Sequence, residues 1–208
     1  MTLYAERQRF EQFSLRIGVA FSRIDPVPNH WTVFSLVPTV VALWFLVQEA
    51  FLAAAGLFII AAFLDVVDGS VARVMGKVTR LGAYLDTIVD RYVEGIILFG
   101  LLFASLPALA VAGVAVPAAA LVFLLFFGGA LTTYAKAAAK EKDLIDRELR
   151  GGLLERAERL LILFIGILLA SVEPVYLTYV LALLAVLSNV TALQRITKAA
   201  RAPPPAHQ

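Results

Sequence analysis

The chain has no cysteine and only two histidines, His30 and His207. Without cysteine there is no disulfide framework, zinc–thiolate site, iron–sulfur cluster or thiol nucleophile. So little imidazole excludes most histidine-built metal sites and catalytic triads. Charge is scarce too: Asp, Glu, Lys and Arg make up 16% of the 208 residues, against roughly 25% in an average soluble domain. Apolar residues reach 61%, above the roughly 45–50% of such a domain. This composition excludes a disordered chain and argues against a water-soluble globule.

A membrane span needs about 20 mostly apolar residues. Six such stretches are read at 31–48, 51–73, 81–104, 109–135, 156–172 and 175–196. They leave no room for a second soluble domain, and the chain shows no internal repeat. All 18 Lys and Arg residues sit in or beside alternate connections and the two termini. Arg7, Arg9, Arg16 and Arg23 precede the first span. Arg73, Lys77, Arg80 and Arg91 flank the second connection. Lys136, Lys140, Lys142, Arg147, Arg150, Arg156 and Arg159 surround the fourth, and Arg195, Lys198 and Arg201 follow the last span. The connections near Glu49, Pro107 and Pro174 have none. The positive-inside rule places the charged side, with both termini, in the cytoplasm, as an even number of spans requires.

Residues 1–30 lack the continuous apolar region of a signal peptide. Phe10, Phe13, Ile17, Phe21 and Ile24 recur at helical spacing among Arg7, Arg9, Glu11, Arg16 and Arg23, which predicts an amphipathic helix on the cytoplasmic membrane surface. Asp25-Pro26 and Pro28 end it. The expected organisation is therefore an N-terminal helix and lead-in segment over 1–30, a six-helix transmembrane domain over 31–198, and a disordered proline-rich tail over 199–208. The fold class is an all-α, multi-pass integral membrane protein.

Within this apolar chain, Asp65, Asp68, Asp86, Asp90 and Glu94 fall inside or at the ends of two spans. One charge at bilayer depth costs at least about 2.5–3.5 kcal/mol, so a group of them needs compensation. They pair with Arg73 and Arg91, hold cations, or line a wet cavity. Asp65 and Asp68 are i,i+3 with Gly69 and Ala72 on their face; Gly82, Asp86 and Asp90 follow at i, i+4 and i+8. Two antiparallel helices would bring four carboxylates to one level. Oxygen ligands without Cys or His suit Mg²⁺ or Mn²⁺, and two such ions would neutralise four carboxylates. Gly69, Ala72 and Gly82 either leave room for a ligand near the backbone or pack two helices closely. Arg73 either holds a phosphate or base, or pairs with an Asp.

The string Asp65-x2-Asp68-Gly69-x2-Ala72-Arg73-x8-Gly82-x3-Asp86-x3-Asp90 resembles the signature of the CDP-alcohol phosphotransferases, as does the layout of an N-terminal helix and six spans. The resemblance implies transfer of a substituted phosphate from a CDP-linked lipid to an alcohol, with release of CMP. It implies that Asp65, Asp68, Asp86 and Asp90 bind two divalent ions, that Asp90 is also the base for the acceptor hydroxyl, and that Asp68, Gly69, Ala72, Arg73, Thr79 and Gly82 contact the CDP-lipid. Pro28-Asn29-His30-Trp31-Thr32 resembles the family's P-N-x-x-T segment, with Asn29 and Thr32 near the nucleotide diphosphate. A homodimer in the cell membrane is implied; nucleic acid is not among the partners.

For the acceptor, Arg156 and Arg159 are i,i+3 and Lys136 ends the fourth span. These cations suit a phosphorylated alcohol, or else they anchor the chain at the membrane and pair with Glu155 and Glu158. Lys-Ala after Tyr134, then Glu-Arg-x-Glu-Arg-Leu from Glu155, resembles the branch that uses inositol phosphate to make phosphatidyl- or archaetidylinositol phosphate. Arg195 would complete the phosphate pocket. That branch commonly carries Arg where this chain has Ala138, so either the pocket has one phosphate ligand fewer or Lys140 takes that place. Glycerol phosphate and serine are the alternative acceptors. Two rival classes fit less well. A cation-coupled transporter places its acids near the midplane and often repeats its halves. A membrane prenyltransferase is larger and has two similar Asp-rich motifs.

Overall fold

The computed structural model describes residues 3–25, 27–144 and 152–202, with side chains at 12 and from 14 onward. The side chains of Arg7, Arg9, Phe10, Glu11 and Phe13, the stop at Pro26, Arg147, Arg150 and the tail over 203–208 lie outside the described residues. In chain order the elements are α1 (Leu3–Ser22), α2 (Pro28–Phe34), α3 (Leu36–Val47), α4 (Phe51–Val74), α5 (Arg80–Leu101), β1 (Leu109–Val111), β2 (Val114–Val116), α6 (Ala118–Glu141), α7 (Arg156–Ala170) and α8 (Pro174–Ala200). The chain forms two compact units, Met1–Gly100 and Leu101–Gln208.

Among the described residues, four helical stretches are long and apolar enough to cross a membrane: Pro28–Val47, Phe51–Val74, Ala118–Glu141 and Pro174–Ala200. The other two predicted spans are helical, but α5 carries Arg80, Asp86, Asp90, Arg91 and Glu94, and α7 has only 15 residues. Large apolar side chains stay exposed on these helices, among them Val37, Val40 and Trp44 on α3, Phe123 and Phe126 on α6, and Val186 and Leu193 on α8. Water would make so much exposed apolar surface costly; lipid does not.

In the first unit, α4 is the centre, with α1, α2 and α3 packed on it. Pro28 opens α2 at a position where a missing N–H costs nothing. The helix breaks at Ser35 because Pro38 cannot donate to the carbonyl of Phe34. Ile17 of α1 is buried with Val67 and Val71 of α4, and Phe21 and Trp31 close over them. The spacing that assigns Ile17 and Phe21 to the membrane surface thus marks an apolar face, but α4 covers it. Phe21 meets Trp31 edge-on at 5.2 Å and Phe63 at 5.7 Å. At the end of α4, Gly76 takes φ +61°, and the amides of Lys77 and Gly76 close on the carbonyls of Ala72 and Arg73 at 2.9 and 3.3 Å. This left-handed cap, natural to glycine, stops α4 and turns the chain into the segment before α5.

In the second unit, α8 packs on α6 and α7. Helices gain little from apolar contact alone in lipid, so close fit and polar pairing hold them. The Asn189 amide donates to the carbonyls of Leu124 and Ala185 at 2.9 and 2.8 Å, and a Cβ on Gly128 would come within 2.8 Å of Asn189. The structure departs from the all-α expectation over 109–116. These residues form an antiparallel hairpin instead of the first turns of a span. Its loop, Ala112-Gly113, has φ +48° and +82°, the paired positive values of a tight two-residue hairpin turn. Pro117 then precedes α6. α8 runs on to Ala200, so Ala199 and Ala200, assigned to the tail by sequence, are helical.

Candidate active site

Helical spacing puts Asp65 and Asp68 on one face of α4, and Asp86 on the face of α5 that carries Gly82. One carboxylate oxygen from each of Asp65, Asp68 and Asp86 lies within 4.8 Å of the other two. Asp68 is 6% exposed, and its Oδ2 is buried with no hydrogen-bond partner. A buried carboxylate oxygen left unpaired costs its full desolvation, and a cation removes that cost. Hard oxygen donors of this kind suit a divalent ion such as Mg²⁺ or Mn²⁺. Asp90 follows one turn after Asp86, about 6 Å along the helix axis, and is not part of the trio. Glu94 Oε2 pairs with Arg91 Nη1 at 2.8 Å.

A cavity of about 470 Å³ opens over these carboxylates. Its walls include Asn29, Thr32, Asp68, Gly69, Ala72, Arg73, Thr79 and Gly82, all eight positions that the sequence motif marks for the CDP-lipid, together with Asp65 and Asp86. Thr79 caps α5: its Oγ1 accepts the Gly82 amide at 3.0 Å, and its carbonyl accepts the Ala83 amide at 3.1 Å. A Cβ on Gly82 would come within 3.1 Å of Thr79 Oγ1 and 3.3 Å of Asn29 Oδ1. At Gly69 a Cβ would meet only the Arg73 guanidinium, at 3.6 Å. Neither glycine has a neighbouring helix backbone against it, which favours room for a ligand over helix packing. Among the described residues no ion pair joins Arg73 to an Asp; Nη2 donates to Ser14 Oγ at 2.6 Å and to Ser70 Oγ at 3.3 Å. Sequence reasoning missed Lys77, Val78 and Ala83 in the cavity wall. The left-handed Gly76 just before them was the available signal.

Asp25 holds the start of α2, the helix that carries the cavity residues Asn29 and Thr32. Its Oδ1 accepts the Val27 amide at 2.8 Å, its Oδ2 lies 2.6 Å from His30 Nδ1, and its carbonyl accepts the Trp31 indole N–H at 3.0 Å. The His30 hydrogen bond first, then the Val27 amide, hold the Asp25 carboxyl below its ordinary value of 3.8.

The cations assigned to an acceptor phosphate all belong to the second unit. Arg156 opens α7, and Arg159, one turn on, is 2% exposed. Glu158 Oε2 accepts the Glu155 amide at 2.9 Å, so this glutamate caps the helix. The amides of Leu153 and Leu154 donate to Gln194 Oε1 and Thr191 Oγ1, each at 3.1 Å. They tie the start of α7 to the turn of α8 that carries Arg195. Arg195 Nη1 donates to the Thr132 carbonyl at 3.2 Å, one turn before Lys136 on α6, and its Nε is buried without a hydrogen-bond partner.

Residues 26–199 match the CDP-alcohol phosphatidyltransferase family. The chain is 32% identical to the archaetidylinositol phosphate synthase of Pyrococcus horikoshii over 195 residues, covering 93% of this chain and 94% of that one. It is 31% identical to the phosphatidylinositol phosphate synthase of Mycobacteroides abscessus over 193 residues, covering 91% and 84%. Among solved structures, the phosphatidylinositol phosphate synthase of Mycobacterium tuberculosis with CDP-DAG bound matches with a TM-score of 0.78 at 25% identity, over 92% of this chain and 96% of that one. The same enzyme in complex with manganese and citrate matches with a TM-score of 0.77 at 26% identity, over 91% and 90%.

Proposed function

The chain belongs to the CDP-alcohol phosphatidyltransferase family, and on that premise we propose that it transfers the substituted phosphate of a CDP-linked lipid to inositol phosphate, releasing CMP. The observation that carries this reading is one cavity in which three metal-type carboxylates meet every motif position expected to contact a CDP head. CDP-diacylglycerol and CDP-archaeol are the candidate donors, matching the two relative types.

Asp65, Asp68, Asp86 and Asp90 are the residues to hold two Mg²⁺ or Mn²⁺ ions. Bound there, the ions supply neutralisation of the donor's diphosphate and of the leaving phosphate. Asn29, Thr32, Asp68, Gly69, Ala72, Thr79 and Gly82 shape the seat of the nucleotide, and Arg73 adds a planar fork of N–H donors. Asp90 takes the proton of the acceptor hydroxyl as its oxygen bonds to the lipid-side β-phosphorus. The bond from that phosphorus to the bridging oxygen breaks, and CMP leaves with the electron pair. Lys136, Arg156, Arg159 and Arg195 hold the acceptor's phosphate.

The membrane arrangement in this reading has six spans, with α5 and α7 completing the set, and both termini and the site in the cytoplasm. The placement of all 18 cations supports it. α1 lies along that surface with Leu15 and Val19, both exposed, toward lipid. A homodimer would bury part of the exposed apolar surface of α6 and α8.

The test gives purified enzyme CDP-diacylglycerol or CDP-archaeol with inositol phosphate, glycerol phosphate, serine or free inositol, and measures CMP. CMP release that requires inositol phosphate is expected. Equal use of free inositol or serine overturns the acceptor assignment, and no CMP with any acceptor overturns the reaction.

A further inference from the structure

α1 sits directly on the back of the site helix. Ser14, Ile17, Gly18 and Phe21 recur at i, i+3, i+4 and i+7, one face of a helix. That face meets α4 along Val67, Ser70, Val71 and Val74. The fit is close: a Cβ on Gly18 would lie 2.5 Å from the Ser70 carbonyl oxygen and 2.6 Å from Val74 Cγ2. Two hydroxyls are sealed inside this contact, Ser14 at 3% exposure and Ser70 at 0%.

The direction of their hydrogen bonds is fixed by chemistry. The Val66 carbonyl only accepts, so Ser70 donates to it, at 2.6 Å. Ser70 Oγ is then the acceptor for the Ser14 hydroxyl, at 2.8 Å. Arg73 only donates, so Ser14 Oγ receives Nη2, at 2.6 Å. Three donors point the same way, from the guanidinium through α1 and back into α4, and each polarises the next. With Nη2 held by Ser14, the guanidinium rests over Gly69, its Nη1 and Nη2 3.6 and 3.9 Å from where a Cβ would stand, and both residues line the cavity.

We propose that Ser14 is a positioning residue for the donor site, holding the Arg73 guanidinium over Gly69 before a nucleotide diphosphate arrives. The inference rests on the donor reading above and deepens it: the N-terminal helix sets the reach of a nucleotide-contacting arginine in addition to any anchoring role. Arginine has a long, flexible stem, and fixing it in advance removes an ordering cost from binding. Losing one charge-assisted hydrogen bond to it is expected to weaken donor use about tenfold.

The experiment measures CMP release by the full-length enzyme in detergent or nanodiscs, varying CDP-diacylglycerol and acceptor separately. Ser14→Ala should raise the donor KM about tenfold, leave the acceptor KM unchanged, and have no further effect in an Arg73→Ala background. Ser14→Thr, which keeps the hydroxyl, should restore donor KM relative to the nearly isosteric Ser14→Val; this pair decides the matter if Ser14→Ala is poorly folded. An unchanged donor KM, or a Ser14→Ala effect that persists in full beside Arg73→Ala, overturns the relay while leaving the reaction standing. A wild-type enzyme that releases no CMP from the CDP-lipid overturns both.

Discussion

Asp68 of α4 and Asp86 of α5 bring carboxylate oxygens within 4.8 Å of each other, and Asp68 Oδ2 is buried with no hydrogen-bond partner among the described residues. Without a cation the repulsion opposes the fold; a divalent ion held by both would tie the two helices together. Thermal unfolding in excess chelator should therefore rise on adding Mn²⁺ or Mg²⁺, by about 2.7 kcal/mol at one hundred times the dissociation constant. Asp86→Asn should raise the melting temperature in chelator and abolish most of the metal-dependent gain. A melting temperature insensitive to both metal and Asp86→Asn contradicts the site.

Asp90 stands one turn beyond Asp86 on α5. A base serves the acceptor hydroxyl, so its loss should be felt in turnover and not in donor binding. Asp90→Asn should lower kcat by about 10²- to 10⁴-fold while CDP-lipid still protects the enzyme against thermal unfolding. Near-normal kcat in this variant removes Asp90 from the base role.

Gly82 tests whether small residues serve the ligand or the fold. Alanine would gain about 0.8–1 kcal/mol of helix propensity. Its Cβ would meet only two side-chain oxygens, Thr79 Oγ1 at 3.1 Å and Asn29 Oδ1 at 3.3 Å, and these would have to give by a few tenths of an ångström. Gly82→Ala should leave stability within about 1 kcal/mol of wild type yet raise the donor KM, because both crowded groups line the cavity. Kinetics against CDP-lipid, paired with thermal unfolding, separate the two effects.

The grouping of these carboxylates was legible because helix spacing is local. The i,i+3 and i+4 steps that place Asp65, Asp68 and Asp86 need no knowledge of the rest of the chain. What covers a face is not local. The apolar spacing of Ile17 and Phe21 was visible, but not that α4 takes them, and nothing near Ser14 signals a partner 56 positions away. The hairpin at 109–116 was hidden by its hydropathy, which matches that of a span. Its cues were Pro107, Gly113 and Pro117, which bracket and turn a segment of alternating valines. Spacing alone groups the acids of α5 as one cluster, but Glu94 pairs with Arg91 on its own helix.

Acid should loosen the start of α2. The Asp25 carboxyl is held below its ordinary 3.8 by His30 and the Val27 amide. A lowered folded-state value means its stabilisation is fully present above that ordinary value and fades as pH falls through the lower, folded one. The stability difference between wild type and Asp25→Asn should thus be constant at neutral pH and shrink only below about pH 4. Denaturation of both proteins across pH 3–7 checks this; a difference that already declines near pH 6 assigns it to another group.

The acceptor pocket is the prediction that decides the product. Arg159 is 2% exposed, and an arginine so deeply placed is either an internal brace or a receptor for an anion that comes to it. Removing a brace lowers stability whatever the substrate; removing a receptor changes acceptor use alone. Arg156, at the first position of α7 and less enclosed, is the cleaner probe. Arg156→Ala should weaken use of inositol phosphate by about 1.5–3 kcal/mol, the range for a hydrogen bond to a charged group, with the CDP-lipid KM unchanged. Arg195→Ala should do the same and also release the Thr132 carbonyl bond that now orients it. Arg156→Lys keeps the charge without the paired donors and should recover only part of the loss. Equal losses with free inositol and inositol phosphate would move these cations from substrate recognition to membrane anchoring.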